Sequence, residues 1–247
     1  MSFSCTACPS RKLCAPHALE IAEAEQIDRM ISGRFTVRSG ERLRLVEEEG
    51  GSVFLVRTGT LKCSFLTAEG DECVTGFLDS GDLLTLDRNE LNGKACDLSA
   101  LSPSTLCRLS LSKLRQAAAD NPALQRQLIV LMSREIARQG LAVQLLRHTS
   151  AAQRLAHFLV SAAWKNSQRG RPDTDFVLPM TRRDLADYLG LSESTTARLY
   201  SEFNKLGYIQ MHHQHLRILQ PDALRRLAGA SAFPSAPALR EATHSGI

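Results

Sequence analysis

The segment LPMTRRDLADYLGLSESTTARLYSEFNKLGYI, residues 178–209, constrains this chain more than any other. Thr181 is followed three residues later by Asp184, close to a capping box, and predicts a helix start. Leu185, Ala186 and Leu189 give the helix over 182–189 an inward face. Gly190 ends it, as a residue able to turn left-handed, and Leu191 anchors the turn. Ser192 caps a second helix running to about Lys205, with Leu199, Phe203 and Leu206 as its apolar face and Gly207 as its stop. Two short helices joined by a glycine turn make a helix-turn-helix, and YIQMHHQHLRIL (208–219) follows as a two-stranded wing. A plain helical hairpin is the bland alternative. Against it stands the other face of the second helix, where Ser194, Thr195, Ala197, Arg198 and Ser201 are small, polar or basic and suit a major groove. Arg182, Arg183, Lys205 and Arg217 are available for phosphates. The expected partner is double-stranded DNA. His212, His213 and His215 have no acid or thiol cluster beside them, so they read as wing rather than metal site.

The remaining sequence needs a second architecture. At 247 residues, 43% hydrophobic and 23% charged, the chain makes one large or two modest domains with a true core. No apolar run approaches the ~18 residues of a transmembrane helix, so no membrane partner is expected. The opening MSFSCTACPSRKLC lacks an apolar signal core, which makes a cytoplasmic location the expectation. A net charge of +4 permits a nucleic-acid partner without requiring one. Residues 17–32 predict a short helix with Leu19, Ile27 and Ile31 as its apolar positions. From about Arg34 to Leu114, recurrent glycines separate β-prone pieces: 52–57, 60–66, 72–77 and 105–111. Regular short strands with turns at Gly70 and Gly81 indicate an antiparallel barrel or sandwich.

A long helix follows from about Asn121 to Leu146, with Pro122 in its first turn. Ile129, Met132, Ile136, Gln139, Val143 and Leu146 recur at a 3-4-3-4-3 spacing, a heptad seam. A second apolar set, Leu124, Leu128, Leu131, Leu141 and Leu145, is available to pack on the chain's own domain. That frees the seam for a homodimer. Residues 149–163 predict another helix and 176–178 a short strand, while the stretch from Ser231, with Pro234 and Pro237, reads as a flexible tail.

The seven cysteines are Cys5, Cys8, Cys14, Cys63, Cys73, Cys96 and Cys107. In a reducing compartment they point to metal, cluster or redox chemistry rather than disulfides. Cys5-x2-Cys8-x5-Cys14 lets thiolates face one centre, and Arg11 and Lys12 favour the thiolate form. Spacing alone leaves zinc and iron–sulfur both open, and a fourth ligand must come from elsewhere. Cys63 and Cys73 read as small buried hydrophobes. No Gly-rich phosphate loop, helix-borne histidine pair or Gly-x-Ser-x-Gly elbow is present, so an enzyme is not expected.

CTACPSRKLCAP, VFLVRTGTLKCSFLTAEGDECVTGFLDSGDLL and LPMTRRDLADYLGLSESTTARLYSEFNKLG together resemble the Crp/Fnr family of bacterial transcription regulators, and more narrowly its oxygen-sensing Fnr branch. The resemblance runs from Cys5 to about Ala228. It implies an α+β fold: a cysteine arm (1–16), an antiparallel β-roll like that of cyclic-nucleotide-binding relatives (17–120), a dimerisation helix (121–148) and a winged helix-turn-helix (149–229), then the tail (230–247). It further implies a 4Fe–4S cluster on Cys5, Cys8, Cys14 and a fourth cysteine. TLCRLSLSKL matches the family context for that ligand, so Cys107 is preferred and Cys96, in LNGKACDLSA, is the reserve. Oxygen, or a related oxidant such as nitric oxide, would then control dimerisation and DNA affinity, with RNA polymerase as a further partner; such turns touch it in the family, but for Thr67–Glu72 a solvated hairpin is the safer reading. The alternative is a regulator with a structural zinc or thiol redox site in the arm and another effector in the roll.

Three points separate this chain from relatives. Cyclic-nucleotide binders carry an acid after a glycine, present here as Gly81-Asp82, and an Arg-Ser or Arg-Thr pair, absent from Asp87–Ala100; a cyclic phosphate would lack its bidentate arginine. The branch's Glu-x-x-Ser-Arg reading pattern becomes Ser194, Ala197 and Arg198, with Glu193 displaced by about 100° around the helix. The half-site expected is related to TTGAT but altered or relaxed. Finally, Gln139 replaces a seam aspartate, which removes a like-charge brake on dimerisation.

Overall fold

Side-chain alternation organises the first half of the chain. In β3 (Ser52–Thr58), Phe54 and Val56 face one apolar cluster while Val53 and Leu55 face another. The structure is a computed structural model describing residues 21–44, 51–86, 97–122 and 149–229, together with Cys5, Cys8 and positions 124–126, 128–130, 132, 133, 136, 140 and 146. Helix α1 (Ile21–Met30) leads into β1 (Ile31–Val37) and β2 (Arg42–Arg44). After β3 come β4 (Thr60–Leu66), β5 (Glu72–Asp79), β6 (Leu83–Leu86), β7 (Asp97–Ala100), β8 (Ser104–Ser110) and α2 (Leu111–Asp120). They form two antiparallel four-stranded sheets, ordered β1-β8-β3-β6 and β2-β7-β4-β5. Val37, Phe54, Val56 and Leu106 of the first sheet meet Leu61, Cys63, Leu78, Leu98 and Ala100 of the second. On the first sheet's other side, Val53 and Leu109 pack with Met30 of α1, with Leu114 and Ala118 of α2, and with Leu124 at the start of the long helix.

The expected antiparallel sandwich and the strand over 60–66 match these elements, and the other foreseen strands agree within two residues at either end. The short helix differs. It ends at Met30, and Ile31 and Ser32 belong to β1, because Ile31 pairs with Leu109 across the sheet. Residues 17–20 lie outside the described part, as do Cys14, Cys96, Gln139, Val143 and the tail from 230. Strands β1, β2, β6 and β7, and helix α2, carry too little turn chemistry or periodicity to be foreseen.

Chain packing groups residues 1–144 with 179–190 in one compact unit and 145–178 with 191–247 in a second. Helix α4 (Arg182–Tyr188) therefore belongs with the sheets of the first unit and touches β5. The second unit holds α3 (Ala151–Gln168), β9 (Asp175–Val177), α5 (Glu193–Lys205), β10 (Ile209–His212), β11 (His215–Ile218) and α6 (Pro221–Ala228). Helix α3 starts at a full capping box of Ser150 and Gln153 and packs against α5 and α6. Strands β10, β11 and β9 pair antiparallel in that order, the expected wing with a third strand. Leu155, Leu159, Phe203, Ile209, Leu216 and Leu224 are the largest fully buried side chains of the second unit. Leu206 departs from expectation: it is the exposed C-cap of α5, and Tyr200 takes the buried place beside Leu199 and Phe203. Among the described residues no helix is long and apolar enough to cross a membrane.

Gly59, at φ +88 between β3 and β4, is held against the start of β8. A Cβ there would overlap Ser104 Oγ and lie 2.6 Å from the Pro103 carbonyl oxygen. Gly70, also at φ +88, faces open space. Gly59→Ala should cost about 2–4 kcal/mol, left-handed strain plus a backbone clash, and Gly70→Ala only about 1 kcal/mol. Urea unfolding should show this as a lower midpoint at unchanged slope for Gly59→Ala; equal losses for the two would show that the close approach contributes nothing.

Candidate cysteine centre and nucleic-acid interface

Cys107 lies in β8, the strand flanked by β1 and β3, opposite Arg34 on one side and Leu55 on the other. Since Leu106 fills the sandwich core, pleating sends Cys107 to the opposite face, the side of α1 and α2. Cys5 arrives on that side through α1: its backbone N–H donates to Asp28 Oδ1 at 3.1 Å. The Cys8 N–H donates to the Cys5 carbonyl at 3.2 Å. Asp28 also pairs with Arg34 Nη2 at 2.8 Å.

The electrostatics show the three thiols as neighbours. Burial pushes the Cys5 thiol up to about 12, helped by a hydrogen bond and charge from Asp28 and by the charges of Cys107 and Cys8. Burial also raises Cys107; Arg34 opposes that rise, Cys8 adds to it, and Arg57 opposes it again. Cys5, Cys8 and Cys107 thus lie within charge range of one another, although about a hundred positions separate the arm from β8. Among the described residues no group of three or more His, Cys, Asp or Glu side chains is gathered tightly enough to hold a metal ion. Cys63 is buried in the sandwich core, as expected of a small hydrophobe, and Cys73 is half-buried on β5. Sequence reasoning missed Asp28 and Arg34; an acid in a helix beside a cysteine arm was the available signal.

The acid of the Gly81-Asp82 pair is engaged within its own turn, where Asp82 Oδ2 accepts the Asp79 N–H at 2.9 Å. Of the region Asp87–Ala100, which has no Arg-Ser or Arg-Thr pair, residues 87–96 lie outside the described part.

Helix α4 opens on the foreseen capping box. Thr181 Oγ1 accepts from the Asp184 N–H at 3.0 Å, and Asp184 Oδ2 accepts from the Thr181 N–H at 3.1 Å. Gly190 follows with φ 60, in the left-handed region the turn needs. Arg182 and Arg183 are exposed. In the second unit, Ser192 caps α5 by accepting from the Thr195 N–H at 3.1 Å, and its hydroxyl also meets Ser194 and Thr195. Thr196 is fully buried, and its hydroxyl donates to the Ser192 carbonyl one turn back. Ser194, Arg198 and Ser201 are exposed, and Thr195 and Ala197 half-buried, all on α5. In the wing, Arg217 makes two bonds to Asp175, at 2.8 and 2.7 Å, and His215 Nε2 lies 2.9 Å from the same carboxylate. Arg217 is therefore engaged within the wing.

At the described positions of the expected long helix, Ile129, Met132, Ile136 and Leu146 are helical and exposed, Ile136 to 70%. Leu124 and Leu128 of the second apolar set do pack on the first unit's helical cluster.

Residues 153–227 match the Crp-like helix-turn-helix domain. The chain is 33% identical over 228 residues to the fumarate and nitrate reduction regulatory protein of Escherichia coli K12, covering 92% of this chain and 91% of that protein. The same protein of Salmonella typhi matches equally, at 33% over 92% and 91%. Among solved structures, FixK2 from Bradyrhizobium japonicum is similar at a TM-score of 0.68 and 24% identity, over 79% of this chain and 96% of that one. A CooA mutant from Carboxydothermus hydrogenoformans follows at 0.60 and 20%, over 79% and 87%. A relative this similar along nearly the whole length, together with the helix-turn-helix match, makes this chain a member of the Crp/Fnr family of DNA-binding transcription regulators, which are not enzymes.

Proposed function

We propose that this regulator senses oxygen, or a related oxidant such as nitric oxide, through a 4Fe–4S cluster held by Cys5, Cys8, Cys14 and Cys107. The observation that carries the reading is that Cys5, Cys8 and Cys107 lie within charge range of one another, with the Cys5 N–H bonded to Asp28 of α1. Thiols are soft donors that must lose their protons to bind iron. Their mutual repulsion and burial oppose that loss, and Arg34 and Arg57 beside Cys107 assist it. When bound, the cluster supplies the positive charge these thiolates need, in a form that oxidants dismantle. Cys5 and Cys8 then tie the arm to β8 by way of Cys107. Loss of that tie frees the arm and lowers DNA affinity.

The readout is a cytoplasmic homodimer on palindromic DNA. Ile129, Met132, Ile136, Gln139, Val143 and Leu146 form the dimer seam, and the exposure of four of them gives a partner helix an apolar stripe to cover. Neutral Gln139 lets the dimer form readily, so oxygen control of dimerisation is weaker than a seam aspartate would give. Two copies of α5 then sit about one helical turn apart, ~34–36 Å, in successive major grooves. Arg198 takes guanine O6 and N7, Ala197 offers a methyl contact to thymine, and Ser194, Thr195 and Ser201 line the groove. Arg182 and Arg183 hold phosphates. RNA polymerase is a further partner of the dimer.

Anaerobic isolation should give a brown protein containing iron and acid-labile sulfide. Cys107→Ala should lose both and Cys96→Ala should keep them. A colourless protein holding only zinc would refute the cluster, and the opposite result for the two variants would move the fourth ligand to Cys96. Arg198→Ala should weaken specific binding by about 1–3 kcal/mol while leaving non-specific binding nearly unchanged. Site selection should return an altered or relaxed TTGAT; full stringency for that element would count against the reading of Ala197. In sedimentation, the apo-protein should be dimeric at micromolar concentration and Ile136→Asp monomeric. A strictly monomeric wild type would contradict the account of Gln139.

A further inference from the structure

Among the described residues Lys62 is the only buried lysine or arginine, at 8% exposure. Its Nζ lies 2.8 Å from Asp184 Oδ1 of α4 and 3.1 Å from Glu72 Oε1 of β5. Ser64 steadies Glu72 through a 2.7 Å bond. Two more contacts join the same elements. The Val74 N–H donates to Asp187 Oδ2 at 2.6 Å, and Phe77 meets Tyr188 edge-on at 5.3 Å. Asp184, Asp187 and Tyr188 sit at i, i+3 and i+4, one face of α4. That whole face is gripped by β4 and β5, inside the compact unit that includes residues 179–190.

Burial opposes the charged state of Lys62, yet Asp184 and Glu72 outweigh it and raise the lysine overall. Burial likewise pushes Asp184 up, and Lys62 and Thr181 more than reverse it. All three groups stay ionised at neutral pH. A buried ion pair is a weak device for stability, since a well-packed apolar side chain of similar size often does as well. What it does provide is a defined seat, and here the seat belongs to a helix with two exposed arginines, Arg182 and Arg183.

We infer that Lys62 is a positioning residue for DNA binding: it seats α4 on the β4–β5 sheet and neutralises the acidic face of that helix, so that Arg182 and Arg183 meet phosphate without competing carboxylates. The inference rests on the proposed DNA contacts of α4. Without Lys62, Asp184 and Glu72 are left as two negative charges beside a phosphate-binding helix, and the helix loses its fixed seat. DNA affinity falls, although Lys62 touches no DNA.

The test uses the full-length protein, isolated anaerobically, and a labelled duplex carrying two TTGAT-related half-sites at fixed salt. Lys62→Met and Asp184→Asn, which keeps an acceptor for the cap, should each weaken binding roughly fivefold or more. The double variant should be no weaker than either single one, and Lys62→Arg should restore most of the affinity. Iron content and dimerisation should match wild type throughout. Unchanged affinity in Lys62→Met, or additive losses in the double variant, would overturn the inference while leaving the wild-type function standing. A loss of iron or of dimer in Lys62→Met would also overturn it, because the effect would then pass through the centre or the seam. A wild type that fails to prefer this duplex over random DNA would instead fell the proposed function, and this inference with it.

Discussion

The register of β8 is the constraint on which the rest depends. β8 lies between β1 and β3 and is covered on both faces, so each of its side chains must point to the correct layer. A slip of one residue would drive Cys107 into the sandwich core and turn Leu106 toward α1. Two independent features oppose such a slip. Leu106 is fully buried among the inner residues of both sheets, and Gly59 brings the β3–β4 turn onto the backbone at Ser104, where β8 begins. A glycine with no chemical role thus helps decide which way a candidate ligand points.

Charge on the outer side of β8 is arranged around Asp28 and Arg34. Asp28 receives the Cys5 N–H and the Arg34 guanidinium, while Arg34 also acts on Cys107. Protonated thiols are inexpensive to bury, being small and weakly polar; thiolates are not, unless positive charge lies close by. With Cys5 pushed up to about 12, the arm in the absence of metal holds that sulfur as a neutral thiol at physiological pH. Any centre bound there must displace the proton against burial and against Asp28. The environment therefore suits a ligand that carries its own positive charge, and it discourages a free, reactive thiolate.

What the sequence made legible follows the range of the interactions. The caps at Thr181 and Ser192, the left-handed Gly190 and the strand 60–66 are local features, set within a few residues, and the structure has all of them. The apolar face of α5 was misplaced only at its end, because Leu206 caps the helix and turns outward while Tyr200 faces in. Strands β2 and β7 were invisible for a different reason. Each is three or four residues long and exists through pairing with a distant partner, Leu43 with Leu98, rather than through its own pattern. The candidate centre was half legible. The arm announces itself by spacing, whereas its approach to β8 depends on Asp28 and Arg34, which no motif marks.

Asp184 shows the same division within one side chain. One of its oxygens closes the capping box with Thr181, an interaction three residues in range that sequence spacing predicts. The other reaches Lys62, 122 positions away. Alternation along β4 puts Lys62 on the opposite face from Leu61 and Cys63, where a lysine is ordinarily solvated. Only the seating of α4 on that face turns it into a buried cation between two acids. A single carboxylate thereby joins the local geometry of the first helix of the helix-turn-helix to the register of a distant sheet. The cap alone would form the helix equally well with its second oxygen in water, so the lysine has to be explained by where the helix is held rather than by whether it forms.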